Sequence, residues 1–301
     1  MNRIGLHIGY WWGSGVEHDL FQMLELTPRA ELDTIEINPA WLLKLTNAEC
    51  EVFAARLREY GMTATLNGGL DAMNDIASDD PVVRQAGITY CKTVLEKMPR
   101  FGLHVWSGCN YSEWLRCPKP ESEAQEEKRR ALDYCVQSMQ EIIPAAERAE
   151  VDYCFEVLNR FEQFLFNTAE EAVAFAERVG SPRAKVLLDT YHMNIEENAT
   201  ASAIAYAAAR GRLGHFHVGE SNRRVPGVGE TDMDWDGVAD ALRHVGYQGA
   251  VIMEPFVLTT AHNVKRIRVW RDLSGGADVE KLVEDARTGG RFLREKLQAN
   301  G

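Results

Sequence analysis

Four short apolar runs in the second half of the chain each close on a residue able to bind a cation or move a proton. They are Cys-Phe-Glu156-Val, Val-Leu-Leu-Asp189-Thr, His215-Phe-His217-Val and Val-Ile-Met-Glu254-Pro. An isolated acid at the end of a buried strand is costly unless it has a partner. Four such residues at matching positions therefore point to one shared site. Two glutamates, one aspartate and one histidine form a nitrogen and oxygen donor set. It suits Mn²⁺, Mg²⁺ or Co²⁺ and is too hard for a structural zinc site. His215 and His217 lie two apart, so a regular strand turns both to one face. His217, nearer the strand's end, is the better ligand, and His215 reads as a packed supporting histidine. Glu162, His192 and Arg223 follow these runs closely enough to share their loops.

Residues from four separate segments meet only if the fold gathers strand ends. Candidate strands are Arg3–Gly9, Asp33–Ile37, Met62–Asn67, Phe101–Trp106, Asp152–Val157, Ala184–Asp189, Leu213–Val218 and Ala250–Glu254. They are rich in Val, Ile, Leu and aromatic residues, as strands buried on both faces are. Helical patterns separate them: Asn47–Tyr60 behind a Thr46 cap, then a helix from Pro81 towards Lys97. Glu121–Ala149 follows, with a kink or interruption expected at Pro144, then Thr168–Val179, Ala199–Arg210, Asp236–Val245 and Val279–Leu297. This alternation predicts the α/β class and a (β/α)8 TIM barrel, one domain over residues 1–301 with extended loops at the C-terminal rim. In such barrels the rim carries the active site. An open doubly wound sheet would want a GxGxxG loop after its first strand, and none is present.

The net charge of −12 repels phosphate backbones and anionic lipid, so neither nucleic acid nor a membrane is expected as a partner. No apolar run approaches the ~20 residues that span a bilayer. The opening Met-Asn-Arg-Ile-Gly-Leu-His-Ile-Gly lacks signal-peptide architecture, and the six cysteines form no CxxC pair. Reduced thiols in a cytoplasmic enzyme are the expectation.

The segments Glu156-Val-Leu-Asn-Arg-Phe-Glu162, Leu188-Asp-Thr-Tyr-His-Met-Asn-Ile-Glu-Glu197, Gly214-His-Phe-His-Val-Gly-Glu-Ser-Asn-Arg223 and Met253-Glu-Pro-Phe256 closely resemble the D-tagatose 3-epimerase/D-psicose 3-epimerase family. Those enzymes are xylose-isomerase-like barrels. Val269-Trp-Arg-Asp-Leu-Ser-Gly-Gly276 also resembles the family's C-terminal region. The match is dense from about Cys154 to Gly276 and patchier before it, where Ile35-Glu-Ile37 and Asp75-Ile-Ala-Ser78 are the clearest echoes. The resemblance implies a divalent metal, usually Mn²⁺, held by Glu156, Asp189, His217 and Glu254. It implies substrate contacts from Glu162, His192 and Arg223, and a homodimer or homotetramer acting on a small ketose.

Epimerising a ketose at C3 removes a proton beside the C2 carbonyl. A metal on O2 and O3 polarises that carbonyl and stabilises the enediolate. Glu156 and Glu254, on the fifth and eighth strands, fit the two faces of C3 as the acid/base pair. Trp11, Trp12, Trp106 and Glu36, from the first half of the chain, are candidates for the pocket wall. A sugar or sugar-phosphate aldose–ketose isomerase on the same scaffold is the alternative reading, with Arg223 and Arg224 offering some charge. A dehydratase and an endonuclease-IV-like nuclease are more distant ones. The nuclease would need more zinc ligands and a basic groove.

Overall fold

Each expected strand is present, and the eight close on themselves. A computed structural model describes residues 2–298. The strands are β1 (Ile4–His7), β2 (Thr34–Ile37), β3 (Thr63–Asn67), β4 (Val105–Gly108), β5 (Asp152–Glu156), β6 (Ala184–Asp189), β7 (Leu213–Val218) and β8 (Val251–Met253). All pair in parallel with their sequence neighbours, and β8 pairs with β1. The helices are α1 (Leu20–Arg29), α2 (Pro39–Lys44), α3 (Asn47–Glu59), α4 (Pro81–Lys97), α5 (Ala124–Arg148) and α6 (Ala169–Val179). After them come α7 (Thr190–Glu196), α8 (Thr200–Ala209), α9 (Trp235–His244), α10 (Val264–Ile267) and α11 (Val279–Gln298). This is the (β/α)8 barrel that the alternation predicted.

Local chemistry explains most boundaries. Thr46 and Glu49 form a reciprocal capping box that starts α3, and Asp80 caps α4 ahead of Pro81. Helix α5 runs through Pro144 as one element, so the expected interruption does not occur. The loss is confined to the one backbone hydrogen bond that proline cannot donate. The fourth strand begins later than the sequence suggested. Met98–Phe101 winds as a 3₁₀ turn ended by Gly102 at φ +66°, a left-handed conformation suited to glycine, and β4 starts only at Val105.

The period of two sorts every strand into outer and inner residues. On β5, Tyr153 and Phe155 face the helices; Phe155 meets Phe175 of α6 with ring centroids 4.9 Å apart. Tyr111 packs on Phe166 at 4.2 Å in the same cluster and donates its hydroxyl to the Glu156 carbonyl at 3.0 Å. Each such fully buried side chain contributes about 1.5–3 kcal/mol. The outer aromatic layer thus fixes the strand whose next inner residue is Glu156. On β7, Phe216 faces outward, and His215 and His217 face in together. At the other side of the barrel the ends of β3 and β4 come unusually close. Gly108, at φ +119°, would bring a Cβ within 2.8 Å of the Gly68 backbone nitrogen, so only glycine fits there.

Candidate active site

Glu156 closes β5, Asp189 closes β6, His217 is the penultimate residue of β7, and Glu254 directly follows β8. One donor atom from each lies within 4.8 Å of the others, and all four side chains are buried. The three carboxylates carry one guanidinium among them. Arg223 Nη1 donates to Asp189 Oδ2 at 2.6 Å and to Glu254 Oε2 at 3.0 Å. With those acids ionised, two negative charges remain, which is the charge of one divalent cation. His217 tests that fit independently. It is fully buried, with Nδ1 3.4 Å from Glu254 Oε2 and Nε2 2.8 Å from Glu36 Oε2, yet neither nitrogen has a well-aligned hydrogen bond. A cation held by the cluster would give the Nδ1 nitrogen the partner it lacks. The cluster is a possible metal-binding site.

Electrostatics within the cluster pull neighbouring groups apart. Burial and the charge of Glu254 push the Glu156 carboxyl up, against the opposing pull of His192. Burial also disfavours the Glu254 carboxylate, but Arg223 and His217 outweigh it and hold that carboxyl far below its ordinary range. For His192, burial opposes the charged ring, and Glu162 and Glu156 overcome it and raise its pKa.

His192 lies on α7 rather than in the loop its position suggested. Asp189 caps that helix by accepting from the Tyr191 amide at 2.9 Å, so one carboxylate serves both helix and cluster. The His192 ring is fixed from behind by the Asn159 amide, 3.2 Å from Nδ1. Its Nε2 stands 3.5 Å from Glu156 Oε1 and 3.0 Å from Arg223 Nη2. Glu162 is aimed by Asn159 Nδ2 at 3.1 Å and Trp114 Nε1 at 3.1 Å. Arg223 adopts φ +65°, and its guanidinium lies 4.1 Å from the centre of the Tyr191 ring.

Above the cluster opens a cavity of about 830 Å³, reached by Glu156, Glu254, Glu162, His192 and Arg223. Of the four candidates for its wall, only Trp12 lines it, stacked on Phe256 at 5.6 Å. Trp106 does not. β4 runs on to Gly108, so Trp106 lies in mid-strand on the outer face, where it packs on Tyr153 at 4.9 Å. Trp11 is 1% exposed and packs on Tyr10. Glu36 is fully buried one layer beneath the cluster, bonded to His215 Nε2 at 2.7 Å.

Sequence reasoning missed His7, Trp114, Phe256 and the α10 cations Lys265 and Arg266, all of which line the cavity. His7 had a readable signal, a polar residue ending a strand as the other four do. Its Nδ1 accepts from the Gly9 amide at 3.1 Å and lies 3.7 Å from Glu254 Oε1. The cations on α10 follow no strand pattern and gave none.

The xylose isomerase-like TIM barrel family model matches residues 24–275. A D-psicose 3-epimerase of Agrobacterium fabrum is 38% identical, with 96% of this chain and 97% of that protein aligned. The crystal structure of a D-psicose 3-epimerase obtained in the presence of D-fructose superposes with a TM-score of 0.90 at 36% identity, covering 98% of this chain and 99% of the other. The D-psicose 3-epimerase of Clostridium cellulolyticum H10, solved with D-tagatose, gives a TM-score of 0.91 at 34% identity over 99% and 100% of the two chains. Likeness this even over the whole of both chains makes the protein a member of the xylose isomerase-like TIM barrel family and, within it, of the D-psicose 3-epimerase family.

Proposed function

We propose that the protein is an isomerase, a metal-dependent ketose 3-epimerase that interconverts C3 epimers of free ketoses. The observation that carries this reading is the pair of buried glutamates, Glu156 and Glu254, in one four-donor cluster beneath the cavity. A divalent cation, Mn²⁺ in this reading with Mg²⁺ or Co²⁺ as the other candidates, supplies Lewis-acid polarisation of the C2 carbonyl.

The protein's own groups do the rest. One glutamate takes the C3 proton and the other returns one from the opposite face, so configuration inverts. Which acts first depends on the epimer bound. Arg223 Nη2 and His192 Nε2, 3.0 Å apart, border the cavity from one side and would meet the substrate oxygens that gain charge. Glu162, held by Asn159 and Trp114, accepts from a sugar hydroxyl. Trp12 and Phe256 cover the apolar edge of the sugar and keep water from the carbanion.

A phosphorylated ketose has less support. Arg223 Nη1 is held by Asp189 and Glu254 and Arg224 does not reach the cavity, so a phosphate would have to be met by Lys265 and Arg266 at the α10 wall, away from the donor cluster's own cation. The same reading makes the protein a cytoplasmic homodimer or homotetramer. All six cysteines are free thiols, which fits a reducing compartment. No helix among the described residues is long and apolar enough to cross a membrane.

The deciding experiment incubates Mn²⁺-loaded protein with free ketohexoses and ketopentoses in D₂O and follows the sugar protons by NMR. D-psicose, D-fructose and D-tagatose come first. Loss of the C3 proton together with a new epimer is expected. An inert C3 with exchange at C1 would overturn the reading in favour of an aldose–ketose isomerase.

A further inference from the structure

Glu36 takes no part in that proton transfer, yet its placement is costly. It sits in the barrel interior at 0% exposure, and no lysine or arginine pairs with it among the described residues. A buried carboxylate without a cation is expensive, and an apolar side chain of similar size would fill the space at lower cost. Its partners come from the neighbouring strand and from across the barrel. Oε1 accepts from Thr65 Oγ1 on β3 at 2.8 Å and meets His215 Nε2 on β7 at 2.7 Å. Oε2 lies 2.8 Å from His217 Nε2 and has no other partner. Strands β2 and β7 are not neighbours, so this connection spans the barrel and sets no register.

What the arrangement does fix is one imidazole. With Nε2 of His217 facing Glu36, the remaining nitrogen, Nδ1, faces Glu254 and the donor cluster. Thr65 and His215 both grip the other carboxylate oxygen, so Glu36 cannot swing away. With a carboxylate oxygen 2.8 Å from Nε2, that nitrogen is the favoured place for the ring proton, which would leave the lone pair on Nδ1. A carboxylate on the far N–H also makes the imidazole a stronger donor.

We propose that Glu36, pinned by Thr65 and His215, is a positioning residue that holds His217 by Nε2 and presents Nδ1 to the cation bound with Glu156, Asp189 and Glu254. The inference rests on the reading of that cluster as the metal site, but not on the identity of the sugar. It also accounts for His215, since the histidine that binds no cation secures the acid that aims the one that does.

The test is metal affinity, measured on chelator-stripped full-length protein by calorimetric Mn²⁺ titration and by the EPR signal of free Mn²⁺. Glu36→Gln keeps the shape and removes the charge, and Mn²⁺ binding should weaken ~10–100-fold. His215→Gln leaves the Glu36 charge in place and should weaken it less. In a double-mutant cycle, Glu36→Gln should lose most of its effect once His217→Gln is present, a coupling that general loosening of the barrel would not give. Mn²⁺ affinity of Glu36→Gln within about twofold of the parent, or equal losses in both backgrounds, overturns the proposal. If Glu36→Gln does not fold, an unchanged affinity in His215→Gln overturns it instead. Glu156→Gln separates the two levels: if this ligand variant binds Mn²⁺ normally, the metal reading itself has failed, not the role of Glu36.

Discussion

The two halves of the barrel handle buried charge in opposite ways. Strands β5 to β8 deliver Glu156, Asp189, His217 and Glu254 to one place, where three carboxylates share a single guanidinium. Strands β1 to β4 end in His7, Ile37, Asn67 and Gly108, and the charges in their rim loops are closed among themselves. Arg116 lies between Asp75 at 3.0 Å and Glu127 at 3.5 Å, both acids buried, and Asp79 accepts from Lys119 and Arg130. A closed cluster is complete without a ligand. The open one is not, and that imbalance distinguishes a site from a structural ion network more sharply than burial does. The closed networks of the first half should therefore govern stability, while Trp12 and Glu36 from that half serve the cavity and the cluster and the second half supplies the reacting groups.

The largest effect should come from breaking the open cluster. Glu254→Gln removes one of the two proposed proton carriers and should lower kcat by ~10²–10⁴-fold, read by C3 proton exchange in D₂O alongside turnover. A variant that keeps its metal and full turnover would end the acid/base assignment. Trp106→Ala comes next and tests the other half. As an outward core residue its truncation should cost ~3–5 kcal/mol in denaturant unfolding, with KM unchanged in the protein that remains folded. A raised KM without lost stability would return Trp106 to the pocket wall. Trp12→Ala should do the reverse, raising KM up to about tenfold with kcat nearly constant, since stacking binds ground and transition states alike.

That Trp12 and Trp106 part company shows where the sequence was legible. Strand ends in the second half were readable because a charged residue closing a hydrophobic run is conspicuous. Four of them in order leave few folds possible. Depth and facing are another matter. Glu36 stands one residue before the end of β2 and is fully buried beneath the cluster, a depth that its place between Ile35 and Ile37 does not by itself report. Trp106 was misplaced because β4 runs on to Gly108, which leaves Trp106 in mid-strand facing outward beside Tyr153 rather than at the strand's end. Other signals were present and unread. Asn38-Pro39 opens α2 and Asp189 opens α7, both with the side chain capping the first turn. The acidic surplus is now better located: part of the −12 belongs to a cluster that a divalent cation offsets.

The smallest effect concerns the closed networks. Hydrogen bonds from Arg130 and Lys119 hold the Asp79 carboxyl down at about 2, against an ordinary value of 3.8. A carboxyl depressed in the folded state stabilises the protein fully above its unfolded value. The contribution fades as pH falls from about 4 towards about 2. Asp79 is about one-third exposed, so solvent screening keeps the contribution below ~1 kcal/mol. Urea midpoints of the parent and of Asp79→Asn should differ by a constant amount above about pH 5 and converge below about pH 4, wherever both still fold. Turnover at neutral pH should be the same in both. A turnover defect in Asp79→Asn would mean that the closed network also serves the site, and the contrast between closed and open clusters would have to be redrawn.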